Sequence, residues 1–542
     1  MENIFKKIFL FEAPKSREEF IIEEKDDNVE YDVRTEEQDK CDELISKSYD
    51  DNLKYIEKSF EFPENNDFII RKIRLKGNIR AFLAFFDGMV DGDAVDGAVV
   101  ETLLKIPFIS GEKIELNAEY IMEKLVAHNQ VSISETFETI IDEINYGSCG
   151  LFIEGLDRGF AIDVRSWGNR GIQKPETEQS VYGPQEAFGE MLRNNSALIR
   201  KIIKNEKLIC VGIKVGKQSR TRGVMMYISD IANDELVAEV KRRLEGIETD
   251  YVIAIEEVSL LVEEKGFALT NHILATERPD RVARALSEGR VAFLLNGSPK
   301  ALVFPTNAFE LMHTASDAYL RTPFANMTRV LRMMAMFISL LLPALYLAIT
   351  LFHQEMVPTF LIFAISAARE NVPFPSVVEL LLMDFSFELI REAGIRMPGQ
   401  IGSTLGIVGG LILGQAAVSA KIVSPIMIII IALTGIGSFA IPDYSLGWSY
   451  RLIRLIFIVL AATFGFYGIA IGIFLYAVIL GGEVSFGVPV LAPLAKGKRG
   501  SLGKSIFVSP MWKREERPDY LATKKSKQEP KVSAKWHIYK KK

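Results

Sequence analysis

Cysteine and histidine are scarce in this chain. The 542 residues include three cysteines, Cys41, Cys149 and Cys210, which lie far apart and show no metal-ligand spacing. A disulfide framework is therefore not expected, and the thiols read as reduced residues of a cytosolic domain. The five histidines, at 128, 272, 313, 353 and 537, form no cluster either, which argues against a zinc site. No phosphate-cradling glycine loop, nucleophile elbow or paired acid/base motif stands anywhere in the first 330 residues. Neither an enzyme nor a resident cofactor or metal is expected. A secretory signal is missing too. The opening MENIFKKIFLF holds a handful of apolar residues and runs straight into acids, so it fails as an apolar signal core and reads instead as a short amphipathic helix. The soluble part is expected to stay on the side of the membrane where it is made.

What is present is a strong charge asymmetry behind a formal net charge of −6. Residues 12–67 carry twenty Asp/Glu against eight Lys/Arg, whereas residues 483–542 carry fifteen Lys/Arg against five acids. An apolar block lies between them. That is the layout of a membrane protein and not of a nucleic-acid binder. Residues 1–67 read as an acidic, loosely structured head, because they offer little apolar surface to offset ordering entropy.

From residue 68 strands and helices interleave. IRAFLAFF (79–86) is a buried-strand candidate. CGLFIEG (149–155) and GFAIDVR (159–165) form a hairpin candidate. The turn DGMVDGDAVDG tempts a calcium reading, but it lacks the Gly and Glu positions of a twelve-residue calcium loop. Asp93 is better read as the N-cap of a helix over 94–104. Helices are expected after Asn117 and Ser134 and over 185–203. A second unit starts near Lys207, with strands LICVGIKVG and GVMMYISD, helices over 234–244 and 254–264, and a hairpin over 291–305. The expected soluble fold is α/β or α+β in two subdomains, 68–205 and 206–328.

Residues 329–482 read as an α-helical polytopic membrane domain, followed by a basic cytosolic tail over 483–542. Val330–Phe352 is a span with Pro343 inside it. Val357–Ala368 is too short to cross at 1.5 Å per residue, and the prolines of RENVPFPS end it. The segment 377–390 carries Glu379, Asp384 and Glu388. The hairpin 357–391 therefore reads as re-entrant or pore-facing. Spans at 404–420, 422–441 and 452–480 follow, the last long and tilted. Arg329, Arg332 and the basic tail favour the cytoplasm. Four crossings satisfy that placement if 357–391 is re-entrant, and six do if both its arms cross. Arg451 and Arg454 then fall on the outer side, against the rule, with Asp443 or Glu483 as the expected partners.

Three groups of residues stand out in this domain. Thr359, Phe363, Ser366 and Glu370 share one helix face. Repeated around an axis, they would present hydroxyls, an aromatic constriction and a carboxylate ring, which suits a cation pore. The bland alternative is that the hydroxyls bond their own backbone and Phe363 is core. Glu379, Asp384, Glu388 and Arg391 are ionisable at membrane depth, so each faces a cavity or a partner. Glu388 with Arg391 is also explained as a simple ion pair. Gly402, Gly406, Gly410 and Gly414 recur every fourth residue and form a ridge that lets a second helix approach closely.

The runs ARENVPFPSVVELLLMDFSFELIREAGIRMP, IGSTLGIVGGLILGQAAVSAKIVSP and FAIPDYSLGWSYRLIR, with YGPQEAFGEMLRNNSALIR, TERPD and EGRVAFLLNGSP before them, resemble the GerA-type spore germination proteins, specifically the A subunits of spore germinant receptors. The resemblance spans roughly residues 75–495. It implies a multi-pass protein of the endospore inner membrane beside a transporter-like B subunit and a lipoprotein C subunit. It also implies a homo-oligomer, a pentamer, that releases monovalent cations in response to nutrient. A related stage V sporulation AF-type channel, a secondary transporter and a non-conducting scaffold are the competing readings.

Overall fold

The computed structural model describes residues 44–105, 121, 130–165, 174–265, 268, 271–396, 401–495, 501–510, 514 and 516–528. The opening MENIFKKIFLF, Cys41 and the expected helix after Asn117, apart from Ile121, lie outside these residues.

The fold begins inside the acidic stretch. Helix α1 (Tyr49–Ser59) starts at Ser48, whose Oγ accepts the Asp51 N–H. Tyr49, Leu53 and Ile56 make an apolar stripe among its acids, and the Phe60 ring after it stacks 4.1 Å from that of Phe68. Residues 44–67 are thus built into the first unit, because one helical face suffices to bury them.

Strands β1 (Phe68–Arg74) and β2 (Arg80–Phe86) pair first; β3 (Val131–Ser134), helix α2 (Phe137–Asn145), β4 (Cys149–Ile153) and β5 (Gly159–Ile162) complete a five-stranded sheet of order β1-β2-β4-β5-β3. Ser134 closes a strand, and the residue preceding α2 is Thr136. Asp91, two residues before the expected cap, accepts the N–H groups of Asp93 and Ala94. Helix α3 (Leu192–Ile202), shorter than expected, leads into the second unit.

That unit runs β6 (Leu208–Val215), β7 (Thr221–Ile228), α4 (Asp234–Glu245), α5 (Ile255–Val262), β8 (Leu274–Thr276), α6 (Pro279–Ser287), β9 (Val291–Leu295) and β10 (Ala301–Phe304), in the sheet order β6-β7-β9-β10-β8. Counted from its own first strand, each sheet has the order 1-2-4-5-3. All the neighbours are antiparallel, so of the two expected classes the structure takes α+β. The match reaches single residues. Gly147 follows α2 with φ 102° and Gly289 follows α6 with φ 95°. Each turns the chain from a helix into the fourth strand of its sheet, a left-handed step that glycine takes without a Cβ clash.

The second unit is not closed by its own segment. Its core includes Phe486, Val488, Ala492, Tyr520 and Leu521, contributed by β11 (Val484–Ser485), β12 (Val488–Pro489) and residues beyond. The Tyr520 hydroxyl accepts from Asn307 Nδ2 at 2.9 Å and from Arg290 Nη2 at 3.2 Å. Part of the stretch read as a basic tail therefore completes a soluble core.

Between these two contributions lie the apolar helices α7 (Thr322–Phe352), α8 (Thr359–Arg369), α9 (Ser376–Arg396), α10 (Ile401–Ser419), α11 (Pro425–Phe439), α12 (Tyr444–Phe464) and α13 (Phe466–Gly481). Among the described residues α7 and α12 are long and apolar enough to cross a membrane. The apolar stretch 452–480, read as one span, is divided at Gly465 (φ 59°, ψ −134°) into α12 and α13. A Cβ at Gly465 would stand 2.9 Å from His353 and 3.0 Å from Phe352.

Contacts fix which way each helix runs. Asn271 donates to Ser445 at the start of α12, and Lys265 Nζ donates to the Gly482 carbonyl at 2.8 Å at the end of α13. Both ends, like the start of α7, adjoin the soluble units, whereas Gly465 adjoins the far end of α7. Gly437 lies against Ala335 and Ser339 near the middle of α7, and α11 ends at Phe439 just before the start of α12 at Tyr444, so α11 ends on the soluble side. Glu379 meets Ser424, and Arg391 meets Ser438, so α9 runs parallel to α11. Helix α8 keeps both ends far from the soluble units, since Lys421 Nζ donates to Asn371 just beyond it at 3.3 Å.

Candidate functional site

The charged residues among the apolar helices gather into two clusters along α9. Asp384, Glu388 and Arg391 stand at i, i+4 and i+7 and share a face of that helix. Arg451 and Arg454, three apart, share a face of α12. Arg454 Nη2 lies 2.8 Å from Asp384 Oδ1 and 3.1 Å from Glu388 Oε1. Arg451 Nη1 lies 3.2 Å from Glu388 Oε2, and Arg391 Nη1 lies 3.5 Å from Glu388 Oε1. Arg391 also donates to Ser438.

Aromatic faces take up further positive charge. The Arg451 guanidinium sits 4.0 Å over the Trp448 ring and that of Arg391 sits 4.7 Å over Phe439. The expected pairing of Arg451 and Arg454 with Asp443 or Glu483 is therefore replaced. Asp443 caps α12 by accepting the Leu446 N–H at 2.9 Å. Glu483 lies 3.2 Å from the buried His272 of the second soluble unit. The break at Gly465 decides this, because it returns Arg451 and Arg454 to the soluble-unit end of the helices, beside α9.

Glu379 forms the far-side cluster. It is 1 % exposed, and its Oε1 accepts the Ser424 N–H at 2.5 Å at the start of α11. Its Oε2 stands 3.9 Å from Arg369 Nε. Asp384 and Glu388 are thus engaged by arginines, while Glu379 keeps one oxygen on the start of α11 and the other beside Arg369. Pairing offsets the large cost of taking them out of water.

The α8 residues stand differently. Thr359, Phe363 and Ser366 are exposed in the single chain, as is Glu370 one residue past the helix end, and no α8 residue is buried. Phe363 is 69 % exposed. Of the glycine ridge, the surroundings of Gly402 and Gly406 lie outside the described residues. A Cβ at Gly414 would rest 3.5 Å from Ile428, and one at Gly410 would meet nothing within 4 Å. The close helix approach instead uses Gly435, where a Cβ would fall 2.3 Å from Phe387, and Gly437, where it would fall 2.7 Å from the Ala335 carbonyl. The small-residue spacing of TGIGS was the available signal for that contact. For the charge cluster the signal was a pair of arginines three apart in one apolar helix and acids four apart in another. Among the described residues no group of His, Cys, Asp and Glu is suited to a metal ion.

Comparison with known proteins adds the following. The family profile described as Bacillus/Clostridium GerA spore germination protein matches residues 54–520. Spore germination protein KA of Bacillus subtilis (strain 168) is 38% identical over 483 residues, covering 88% of each chain. Spore germination protein GerLA of Bacillus cereus is 35% identical over 475 residues, 87% of this chain and 95% of that protein. Spore germination protein A1 of Bacillus subtilis (strain 168) is 36% identical over 430 residues, 79% of this chain and 88% of its relative. Among solved structures, the N-terminal domain of the A subunit of the Bacillus megaterium spore germinant receptor GerK3 is 27% identical, with a TM-score of 0.37, and covers 48% of this chain and 95% of that one.

Proposed function

The chain belongs to the GerA family of spore germination proteins, and from that premise we propose that it acts as the A subunit of a nutrient-responsive germinant receptor. In this reading it oligomerises in the endospore inner membrane, as a pentamer, into a gated path for monovalent cations. A transporter-like B subunit and a lipoprotein C subunit complete the receptor. The alternation of helix directions supports six traverses, by α7 and α9 through α13, with α8 re-entrant on the far side and both soluble segments in the spore core.

One observation carries the channel reading. The carboxylates of α9 are already engaged, while the Thr359, Phe363, Ser366 and Glu370 face of α8 is unoccupied by its own chain. A ring of such faces would supply an aromatic constriction and a carboxylate ring, and Glu rings favour cations.

The test is ion flux from liposomes holding the purified full-length chain. Cation efflux that loses its preference in Glu370→Gln supports the reading. Efflux with unchanged preference removes Glu370 as the selective element. A chain that stays monomeric and passes no ions under any condition returns the protein to a scaffold role.

A further inference from the structure

The far-side cluster holds more polar atoms than the capping of α11 uses. Glu379 needs one oxygen to accept the Ser424 N–H, and Ser424 Oγ in turn accepts the Met427 N–H at 3.3 Å. Three further atoms, Glu379 Oε2, Ser376 Oγ and Tyr346 Oη, are buried with no hydrogen-bond partner. Their residues are 1 %, 0 % and 7 % exposed. Buried polar atoms left unmade are costly. All three can accept an N–H. The group standing next to Glu379 Oε2 is the Arg369 guanidinium, which offers five donors and no acceptor. Arg369 Nε lies 3.9 Å from Glu379 Oε2 and is itself buried without a partner. The unpaired Glu379 Oε2 thus faces the unpaired Arg369 Nε across a gap about one ångström wider than a charge-assisted hydrogen bond.

Arg369 is the last residue of α8, and α8 buries none of its residues. The link to α9 is short and contains Pro373 and Pro375, which limit its freedom. A small movement of Arg369 therefore carries the whole α8 face with it. We propose that Arg369 and Glu379 are positioning residues that form a two-position latch. Seated against Glu379, Ser376 and Tyr346, the guanidinium fixes α8 against α9 and α11. Withdrawn, it frees α8 to reorient Phe363 and Ser366. This rests on the assignment of α8 to the ion path.

The test uses full-length chain in liposomes, with Phe363→Cys in a Cys41→Ser background; Cys149 and Cys210 are buried. The labelling rate by a membrane-impermeant maleimide reports the position of α8, and cation efflux is read in parallel. Arg369→Gln and Glu379→Gln each remove the charge, while the glutamine carbonyl still accepts from Ser424. Each should shift the labelling rate roughly tenfold in the same direction, and the double variant should shift it no further than either single one. Arg369→Lys keeps a cation on α8 and should stay within about threefold of the parent; it also tests the pair should a glutamine variant fail to fold. Unchanged labelling in both single variants, or a double variant equal to the product of the two, overturns the latch. If labelling follows the cycle but no condition gives efflux, the latch stands and the channel reading falls. If efflux is present and labelling is unmoved, the latch falls alone.

Discussion

Arg454 on α12 reaches Asp384 on α9 at 2.8 Å, with both side chains almost fully buried. This contact joins the two helices that carry most of the charge in the apolar region. Arg454→Met would leave Asp384 and Glu388 short of a guanidinium in a dry setting, a loss of about 3–5 kcal/mol. The expected result is a sharply lowered melting temperature in detergent and a reduced protein level. Asp384→Asn in the same background should recover part of the loss, since it removes the charge left unpaired.

A second junction binds the soluble units to α7. Asp317, just before that helix, pairs with Arg329 at 3.0 Å and with Arg332. Burial alone would raise its carboxyl, but Arg332 and Arg329 outweigh burial and hold it below the ordinary aspartate value. A depressed folded-state pKa contributes stability that is present above the unfolded value, near 3.8. That contribution is lost as pH falls through the folded value. Acid titration of thermal stability should show this loss below about pH 4, and Asp317→Asn should flatten it.

Gly465 sits at φ 59°, ψ −134°, with His353 and Phe352 closing on the place of its missing Cβ. Gly465→Val should cost roughly 1–3 kcal/mol from backbone strain alone and more from the clash. Differential scanning fluorimetry checks it. In the same protein, a cysteine at 467 should be labelled from the side of the membrane opposite the soluble units.

Two glycines separate folding from association. Gly437→Leu would drive a side chain into the Ala335 carbonyl, 2.7 Å from the Cβ position, and should destabilise the single chain. Gly410 has open space at that position, so Gly410→Leu should leave the stability of the single chain within about 0.5 kcal/mol of the parent and weaken oligomer assembly, read by mass photometry. Normal assembly in Gly410→Leu removes the glycine ridge from the subunit interface.

Tyr520 lies in the core of the second soluble unit while belonging to the chain beyond the apolar helices. Tyr520→Ala should cost about 3–5 kcal/mol, as for other buried aromatic truncations. It should expose the unit to protease without altering the first unit. Equal protection of both units would show that the C-terminal segment adds nothing to that core.

Much of the fold was legible. The strands near 80–86, 149–153, 159–162, 208–215, 221–228 and 291–304 follow from apolar runs bounded by turn residues. Short or polar strands such as Val131–Ser134 and Phe68–Arg74 did not announce themselves, because their pairing partners supply what their own pattern lacks. The 1-2-4-5-3 order shared by the two sheets was equally hidden, since topology leaves little trace in residue types beyond glycines such as Gly147 and Gly289.

The sequence by itself determined where the apolar stretches lie, the family, and the presence of charges within those stretches. These are local properties: hydropathy, motif spacing and residue identity act within a few residues of one another. Tertiary structure alone decided which partner each charge takes. Arg451 and Arg454 meet Asp384 and Glu388, and not Asp443 or Glu483, because one glycine divides a long apolar stretch and reverses the chain. It also decided that Tyr520 joins a core that includes Ile213, and that Gly437, unlike Gly410, lies against the backbone of another helix. Such outcomes depend on where distant segments are brought together, and the energy of a buried ion pair or a close helix crossing exists only once they have met.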